Sequence, residues 1–454
     1  MRRGKKREKD KIMSKKKGKK KNPQPTLPLV RLSQCMIVKD EEKNIERALS
    51  WAKDIAFEQI VVDTGSTDRT VEIAEKMGAK VYHFEWINDF SAAKNYAIEQ
   101  ATGNWIAFLD ADEYISRQDA KKLFAILKKI RSDPDMREKC LVLNIPLVNV
   151  DENGNPTSVY DQERVFRNIP QARYKGKIHE MITLGSESVF RMDDIKVVHT
   201  GYSETAYEQT GKAWRNIDML RLELKERPDD LTLKAYLADA LKVSGSQEDI
   251  EESDRLYNDV INGEGAYSIH VMGAYKYLIE KFIATPGKLA DAEAMNVKAL
   301  TDFPDDIDLI FLYGMIMNMK GEYKTAWEQL TKCEEKLMKS KSLDDATYLM
   351  AKPTMLFQQL AAAAQGLGDV QGLVRNTTMV LSADKTRSGI LKIYIAELIN
   401  HNTPYDEIEQ LLSTIYDFKD TRDILLVARA AKDCGALDFA KKVLEKAETS
   451  TAKQ

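Results

Sequence analysis

Trp105-Ile106-Ala107-Phe108-Leu109-Asp110-Ala111-Asp112 is an unbroken apolar run that ends in two carboxylates. Five consecutive apolar residues followed by acids read as a strand buried on both faces, and in an open α/β sheet ligands gather at the carboxyl ends of strands. Paired carboxylates leaving such an end supply the hard oxygen ligands that Mg²⁺ or Mn²⁺ prefers, and such an ion commonly joins a protein to the phosphates of a nucleotide. A D-x-D triplet by itself also occurs as a solvated acidic turn. Its neighbours decide between the two readings.

Upstream, the chain alternates strand and helix. Ser33–Val38 is a short apolar strand, Lys39–Asn44 a polar loop, and an amphipathic helix follows through about Ala52. Gln59-Ile60-Val61-Val62 is a second strand, ending in Asp63-Thr64-Gly65-Ser66-Thr67-Asp68. That loop supplies a turn glycine and capping side chains for a helix from about Arg69 to Met77. A third strand near Lys80–Phe84 precedes a helix over Ser91–Ala101, and Trp105–Leu109 is the fourth. The βαβα succession predicts a mostly parallel sheet covered by helices. Three polar clusters, Lys39–Glu42, Asp63–Asp68 and Asp110–Glu113, then fall on one sheet edge, the convergence expected of a nucleotide-type site. Neither a G-x-x-x-x-G-K-[ST] loop nor a G-x-G-x-x-G after a strand occurs, which sets aside P-loop and dinucleotide folds.

The 454 residues exceed what one core usually supports, so at least two domains are expected. No apolar run approaches the roughly 18 residues that cross a bilayer, and the N-terminus lacks the apolar segment of a signal peptide. A cytoplasmic protein is the expectation. Cys35, Cys140, Cys333 and Cys434 are widely spread, with no C-x-x-C pairing, and read as reduced thiols. The net charge of −3 conceals a split: residues 1–22 carry +11 and the remainder −14. A segment such as Lys15-Lys16-Lys17-Gly18-Lys19-Lys20-Lys21 has no apolar area to offset ordering entropy, so residues 1–28 are expected to be a disordered basic tail. Such a tail is either a solvated leader or an electrostatic contact with an anionic surface such as the inner membrane face. Met13 is an alternative start.

Val38-Lys39-Asp40-Glu41-Glu42, Val62-Asp63-Thr64-Gly65-Ser66-Thr67-Asp68-Arg69-Thr70, Ala93-Lys94-Asn95 and Leu109-Asp110-Ala111-Asp112-Glu113, in that order, resemble the family 2 glycosyltransferases of GT-A fold. Arg164–Asn168, Tyr174-Lys175-Gly176-Lys177-Ile178-His179-Glu180 and Val198-His199-Thr200-Gly201-Tyr202 extend the resemblance to the branch of bacterial sublancin-type peptide S-glycosyltransferases, over about residues 32–205. The resemblance implies a UDP-sugar donor contacted by Asp40, Glu42, Asp63, Ser66, Lys94 and Asp110. It also implies a divalent metal, Mn²⁺ or Mg²⁺, on Asp112 with His199 as a further ligand, and inversion by a single displacement with one general base. His179 and Glu180 are the available bases, and Glu180 is preferred. If their segment is a strand, only one of the two neighbours faces the reaction centre. The E-D base pair and the downstream Q-x-x-R-W segment of many family members are absent, which leaves the base and the acceptor class open.

After Tyr202 the strand signals end, and Thr205–Glu226 reads as a long helix. Pro228-Asp229-Asp230 recurs as Pro304-Asp305-Asp306, with Gly245 and Gly321 each seventeen residues further on, an offset of 76. Two tetratricopeptide units of about 34 residues with short insertions give that interval. Gly321–Ala326, Gly435–Ala440 and Gly368-Asp369 look like turns of such units. Gly314 and Ala428, each seven positions before a turn glycine, allow close helix approach. The expected organisation is a GT-A domain over 29–204 and an α-helical tetratricopeptide-like domain over 205–454. The expected activity is metal-dependent, inverting transfer of a hexose or N-acetylhexosamine to a protein or peptide side chain that the repeats bind. The alternatives are a cell-envelope or lipid-linked acceptor, a repeat scaffold with an inactive transferase domain, and repeats that serve a homodimer contact. No specific nucleic acid is expected.

Overall fold

The computed structural model describes residues 27–182, 184–185, 188–200, 212–340, 346, 348–349, 352 and 354–451. Most of the expected tail, and the expected helix start at Thr205–Gly211, lie outside the described residues. The chain divides into two compact units: the residues up to Val148 with Asp161–Thr200, and Asn149–Tyr160 with the residues after Thr200.

The first unit opens with β1 (Leu32–Val38), α1 (Ile45–Ser50), β2 (Glu58–Asp63), α2 (Thr70–Lys76), β3 (Lys80–His83), α3 (Phe90–Glu99) and β4 (Trp105–Phe108). β1 pairs in parallel with both β2 and β4, and β2 with β3, so the loops after β1, β2 and β4 leave from one edge. Successive side chains of a strand alternate between faces, and both faces here are covered. Cys35, Ile60, Val62, Ile106 and Phe108 pack with Ala97 and Ile98 of α3. Met36, Val38 and Val61 pack with Ile45, Ala48 and Leu49 of α1 and Ala74 of α2. That double burial is why the strands read as continuous apolar runs.

The later strands are β5 (Glu113–Ile115), β6 (Val142–Val150), β7 (Pro156–Arg167), β8 (Tyr174–Lys175), β9 (Met181–Ile182), β10 (Val189–Arg191) and β11 (Val197–His199), with helices α4 (Arg117–Ser132) and α5 (Pro134–Lys139) between β5 and β6. The main sheet runs β3-β2-β1-β4-β7-β6-β11-β5, with β10 on β6, and β8 and β9 form a separate pair. The sheet is therefore mixed rather than mostly parallel. β7 runs antiparallel to β4, and β11 antiparallel to β5. α4 is capped by Ser116, whose side chain accepts from the Asp119 amide at 3.0 Å. It buries Ala120, Leu123, Leu127 and Ile130 against Trp105 and Ala107. Each of the larger three contributes roughly 1.5–3 kcal/mol of burial.

At the opposite edge, where β1, β2 and β4 begin, buried Glu58 accepts from Ser33 Oγ at 2.7 Å, Lys80 Nζ at 2.7 Å and the Thr102 amide at 2.6 Å. The turn there needs glycine. A Cβ on Gly103 would lie 2.6 Å from the Arg31 carbonyl oxygen.

The second unit is helical: α6 (Lys212–Glu226), α7 (Leu231–Ser244), α8 (Gln247–Asn262), α9 (Ser268–Ala284), α10 (Leu289–Asp302), α11 (Ile307–Lys320), α12 (Tyr323–Lys339), α13 (Met355–Leu367), α14 (Val370–Ala383), α15 (Ser388–Asn400), α16 (Tyr405–Leu412), α17 (Thr421–Asp433) and α18 (Leu437–Thr451). The repeated signals mark equivalent helices. Asp230 caps α7 by accepting from the Thr232 and Leu233 amides, and Asp306 caps α11 by accepting from the Leu309 amide at 2.8 Å. Gly245 and Gly321 end those two helices in the left-handed region, at φ 79° and 78°. Gly368 closes α13 in the same way, and Asp369 caps α14. Gly314 is a close approach: a Cβ there would meet Leu330 Cγ of α12 at 2.6 Å. Cys35, Cys140 and Cys333 are buried, and Cys434 is half-buried. Burial pushes the Cys140 thiol up to about 11, so it stays protonated. Among the described residues no helix is long and apolar enough to cross a membrane.

Candidate active site

The carboxyl-end loops are tied to one another before any ligand is considered. Asp40, in the left-handed region at φ 54°, donates its amide to Ser66 Oγ at 2.9 Å and accepts from the Thr67 amide at 2.7 Å. Glu42 donates its amide to Asp68 at 3.0 Å and accepts from the Arg69 amide at 3.4 Å. The acidic loop after β1 thus clasps the loop after β2. Asp63, the last residue of β2, accepts from the Ser66 amide at 3.0 Å and the Gly65 amide at 3.2 Å, and lies 3.4 Å from His83 Nδ1 at the end of β3.

Lys94 projects from α3 and is only 4 % exposed, between Asp110 Oδ1 at 3.3 Å and Glu180 Oε1 at 2.6 Å. Its ammonium also sits 5.2 Å from the centroids of Phe108 and Tyr174. Burial disfavours that charge, but Asp110 and Glu180 outweigh it and hold Lys94 protonated, above its ordinary value. On its other oxygen Asp110 meets Arg164 of β7 at 3.4 Å. Arg164 also pairs with Glu113, whose second oxygen accepts the Asp110 amide at 3.1 Å. Burial would raise the Asp110 carboxyl, but Lys94 and Arg164 pull it well below the usual carboxylate range.

In space, Glu180, Lys94, Asp110, Arg164 and Glu113 therefore form a chain of alternating charges. Arg164 and Glu113 were quoted above only as motif letters, without a role at the site. The available signal was chemical: an acid directly after a buried strand needs a counter-ion, and an arginine in a half-buried strand is a candidate.

The motif Ala93-Lys94-Asn95 acquires a structural reason. Asn95 donates to the Tyr174 carbonyl and accepts from its amide, at 3.0 and 2.9 Å. Ser91 Oγ donates to the Gly176 carbonyl at 2.5 Å, and the Phe90 amide to the Lys177 carbonyl at 2.9 Å. α3 thereby grips the turn that carries both candidate bases. That turn is not a strand: β8 ends at Lys175, Gly176 has φ 97° and His179 has φ 52°. The two-face argument for choosing between His179 and Glu180 does not apply, and Glu180 is the one brought to Lys94.

Asp112 and His199 are brought together, with Oδ2 3.3 Å from Nε2 and both side chains about 15 % exposed. The β5–β11 ladder sets His199 opposite Glu113, and the Thr200 amide donates to the Asp112 carbonyl at 3.1 Å. Burial opposes charge on His199, yet the hydrogen bond and negative charge of Asp112, with Glu113 and Asp110 beyond it, raise its pKa. A carboxylate beside an imidazole is a donor set that suits a borderline divalent ion. Among the described residues no group of three or more His, Cys, Asp or Glu side chains is arranged to hold a metal. Two protein ligands fit an ion that takes its remaining ligands from phosphate and water, as Mg²⁺ does.

The Glycosyl transferase family 2 profile matches residues 33–136, the segment holding the loops after β1, β2 and β4. The chain carries a family 2 glycosyltransferase domain. It is 33% identical over 229 residues to a TPR repeat-containing protein of Synechococcus elongatus, covering 48% of this chain and 54% of that protein. Over 196 residues it is 34% identical to the SPbeta prophage-derived glycosyltransferase SunS of Bacillus subtilis, covering 41% of this chain and 44% of that protein. The chain thus spans about half the length of these curated relatives. Among solved structures, S. aureus TarS 1-349 in complex with UDP-GlcNAc matches with a TM-score of 0.34 and 17% identity, over 61% of this chain and 92% of that one. The glycosyltransferase domain is followed by a tetratricopeptide-like helical unit, so the fold class expected from the sequence is found.

Proposed function

We propose that the glycosyltransferase domain moves a sugar from a UDP-sugar to a protein or peptide side chain, with Glu180 taking the acceptor proton and Asp110, Asp112 and His199 on the donor side. One observation carries the reading: Lys94 touches both Glu180 and Asp110, so one buried cation fixes the candidate base and a donor-side carboxylate within a single contact network. Transfer requires groups on both sides of the anomeric carbon held in register, because orientation supplies much of the rate. Asp63 and the clasped loops of Asp40, Glu42 and Ser66 form the wall on which the nucleoside lies. Lys94, being buried, acts by holding Asp110 and Glu180.

Four carboxylates at the site, Glu180, Asp110, Glu113 and Asp112, face two permanent cations, Lys94 and Arg164. Asp112 and His199 would hold a divalent ion, which would offset that excess and would supply Lewis-acid stabilisation of the leaving diphosphate. The helical unit is the acceptor-binding part. Tyr267 and Ile269, two residues apart at the start of α9, are exposed and stand as test positions for that surface.

Intact-mass spectrometry of candidate peptides incubated with the protein and several UDP-sugars, with and without Mn²⁺, tests the reading. A mass increase of one sugar, lost in Glu180→Gln while UDP affinity by calorimetry is kept, is the expected result. Transfer by Glu180→Gln at the unaltered rate overturns the base assignment, and no UDP binding at all overturns the donor.

A further inference from the structure

We infer that Arg47 is a positioning residue: it latches the strand that carries His199 to the loop after β1, so that a nucleotide engaging that loop firms the Asp112–His199 pair. The role rests on the donor reading above and falls to a residue outside every motif of the family resemblance.

α1 is fixed to the sheet by its apolar side. Ile45, Ala48 and Leu49 pack with Met36, Val38 and Val61, and Arg47 leaves from the exposed side. Its Nη2 donates to Thr200 Oγ1 at 2.7 Å and to Asn44 Oδ1 at 3.0 Å, the two hydrogens of one nitrogen serving two acceptors. Asn44 in turn donates to Glu41 Oε2 at 2.8 Å, and the Glu41 amide donates to Thr70 Oγ1 at 2.7 Å. Arg47 is thereby continuous with the clasped loops after β1 and β2.

At its other end the latch reaches the metal side. Thr200 Oγ1, which accepts from Arg47, donates to the Asp112 carbonyl at 3.1 Å, and the Thr200 amide donates to the same carbonyl at 3.1 Å. The Arg47 guanidinium also lies 5.0 Å from the centroid of Tyr114, which stands opposite Val198 in the β5–β11 ladder, one step from the Glu113–His199 pair. Arg47 therefore touches both strands of that ladder, β5 through a ring and the end of β11 through a hydroxyl.

The ladder needs such a tie. β5 and β11 are three residues each, and short edge ladders open readily. In the sheet, β4, β7, β6 and β11 stand between β1 and β5, so no strand pairing carries a movement of the loop after β1 to His199. Arginine suits the place because its plane stacks on a ring while its edge donates two hydrogen bonds, which a lysine ammonium cannot do together. Residues that orient metal ligands from outside the ligand set typically change metal affinity by about 10- to 100-fold when lost.

Arg47→Met in the full chain is the test. The position is exposed, and a circular-dichroism melt like the parent's shows that the variant is folded. Hydrogen exchange of the amides of residues 197–200, followed without metal, reads the latch: UDP should slow it several-fold in the parent and not in Arg47→Met, while UDP affinity by calorimetry stays the same. Mn²⁺ binding in the presence of UDP, followed by electron paramagnetic resonance, should weaken by about 10-fold. Thr200→Val should reproduce both effects, Thr200→Ser should restore them, and the Arg47→Met, Thr200→Val double variant should be no worse than either alone. Equal slowing by UDP in parent and Arg47→Met overturns the latch, as do additive losses in the double variant. UDP binding that leaves exchange at 197–200 unchanged in the parent overturns the latch and spares the donor reading. A parent that binds no UDP removes both.

Discussion

Arg164 is the residue on which the candidate site turns, because it is the shared partner of buried Glu113 and of the more exposed Asp110. Removing one partner of a buried pair leaves an uncompensated charge, and such losses run to about 3–5 kcal/mol. Arg164→Met is therefore expected to lower the unfolding midpoint of the glycosyltransferase domain sharply. Arg164→Met with Glu113→Gln should recover much of it, and a double-mutant cycle by thermal melt measures the coupling. Asp112 makes a different prediction. With Asp112 and His199 as the protein ligands among the described residues, Mn²⁺ should bind weakly alone and tightly once UDP is present, as followed by electron paramagnetic resonance of free Mn²⁺. Asp112→Ala should abolish the UDP-dependent part and cut turnover by roughly two orders of magnitude or more. Tight Mn²⁺ binding without nucleotide would show that further ligands exist. Asp63, Asp110 and Asp112 drew notice because they follow predicted strands, whereas Lys94, within a predicted helix, and His199 were singled out only by the family resemblance. Arg164 and Glu113 were not given roles, since pairing across fifty residues leaves no local spacing to read.

At the scale of elements, the starting edge of the sheet is stapled by one carboxylate. Glu58 is buried, which favours its neutral form, but hydrogen bonds from Lys80, Thr102 and Ser33 prevail and lower its pKa to about 2. A carboxyl depressed on folding stabilises the native state above its unfolded pKa, near 4.5, and loses that contribution as pH falls toward 2. The shift corresponds to about 3 kcal/mol. Glu58→Gln should therefore flatten the acid limb of a stability-against-pH curve from urea titrations over that window; an acid limb identical to the parent's would assign the acid sensitivity elsewhere. In the helical unit, Gly314 sets how closely α11 approaches α12. Alanine gains about 1 kcal/mol in helix propensity, yet its methyl would press on buried Leu330, and overpacking costs about 1–3 kcal/mol. Gly314→Ala should be net destabilising in a thermal melt, and that penalty should vanish in a Leu330→Ala background. The early strands and the repeat caps were readable because their signals are local: apolar runs, Asp at helix starts, Gly at helix ends. The mixed character of the sheet was not, because β7 and β11 pair with strands far away in sequence and their residues are only partly buried, which leaves a weak apolar pattern.

For the whole molecule the question is how donor chemistry and acceptor choice divide between the units. Every candidate donor or metal residue lies in the first unit, so substitutions on the helical unit should leave the UDP-sugar KM alone. Tyr267→Ala with Ile269→Ala, at exposed positions around the start of α9, should raise the KM for a protein acceptor several-fold with little change in kcat, because binding energy from remote parts of the substrate is lost. Unaltered acceptor kinetics would make that surface a structural or oligomeric one.

The pairing of β11 with β5 joins residues 113–115 to 197–199. During synthesis the D-A-D triplet leaves the ribosome long before its histidine partner, and Arg164 and Glu180 also emerge later. A nascent chain that already contains the whole family 2 segment, residues 33–136, therefore still lacks three of the side chains that complete the site. A chain interrupted after that segment would carry the motif and none of these partners, so the candidate site is complete only once the closing strand has paired.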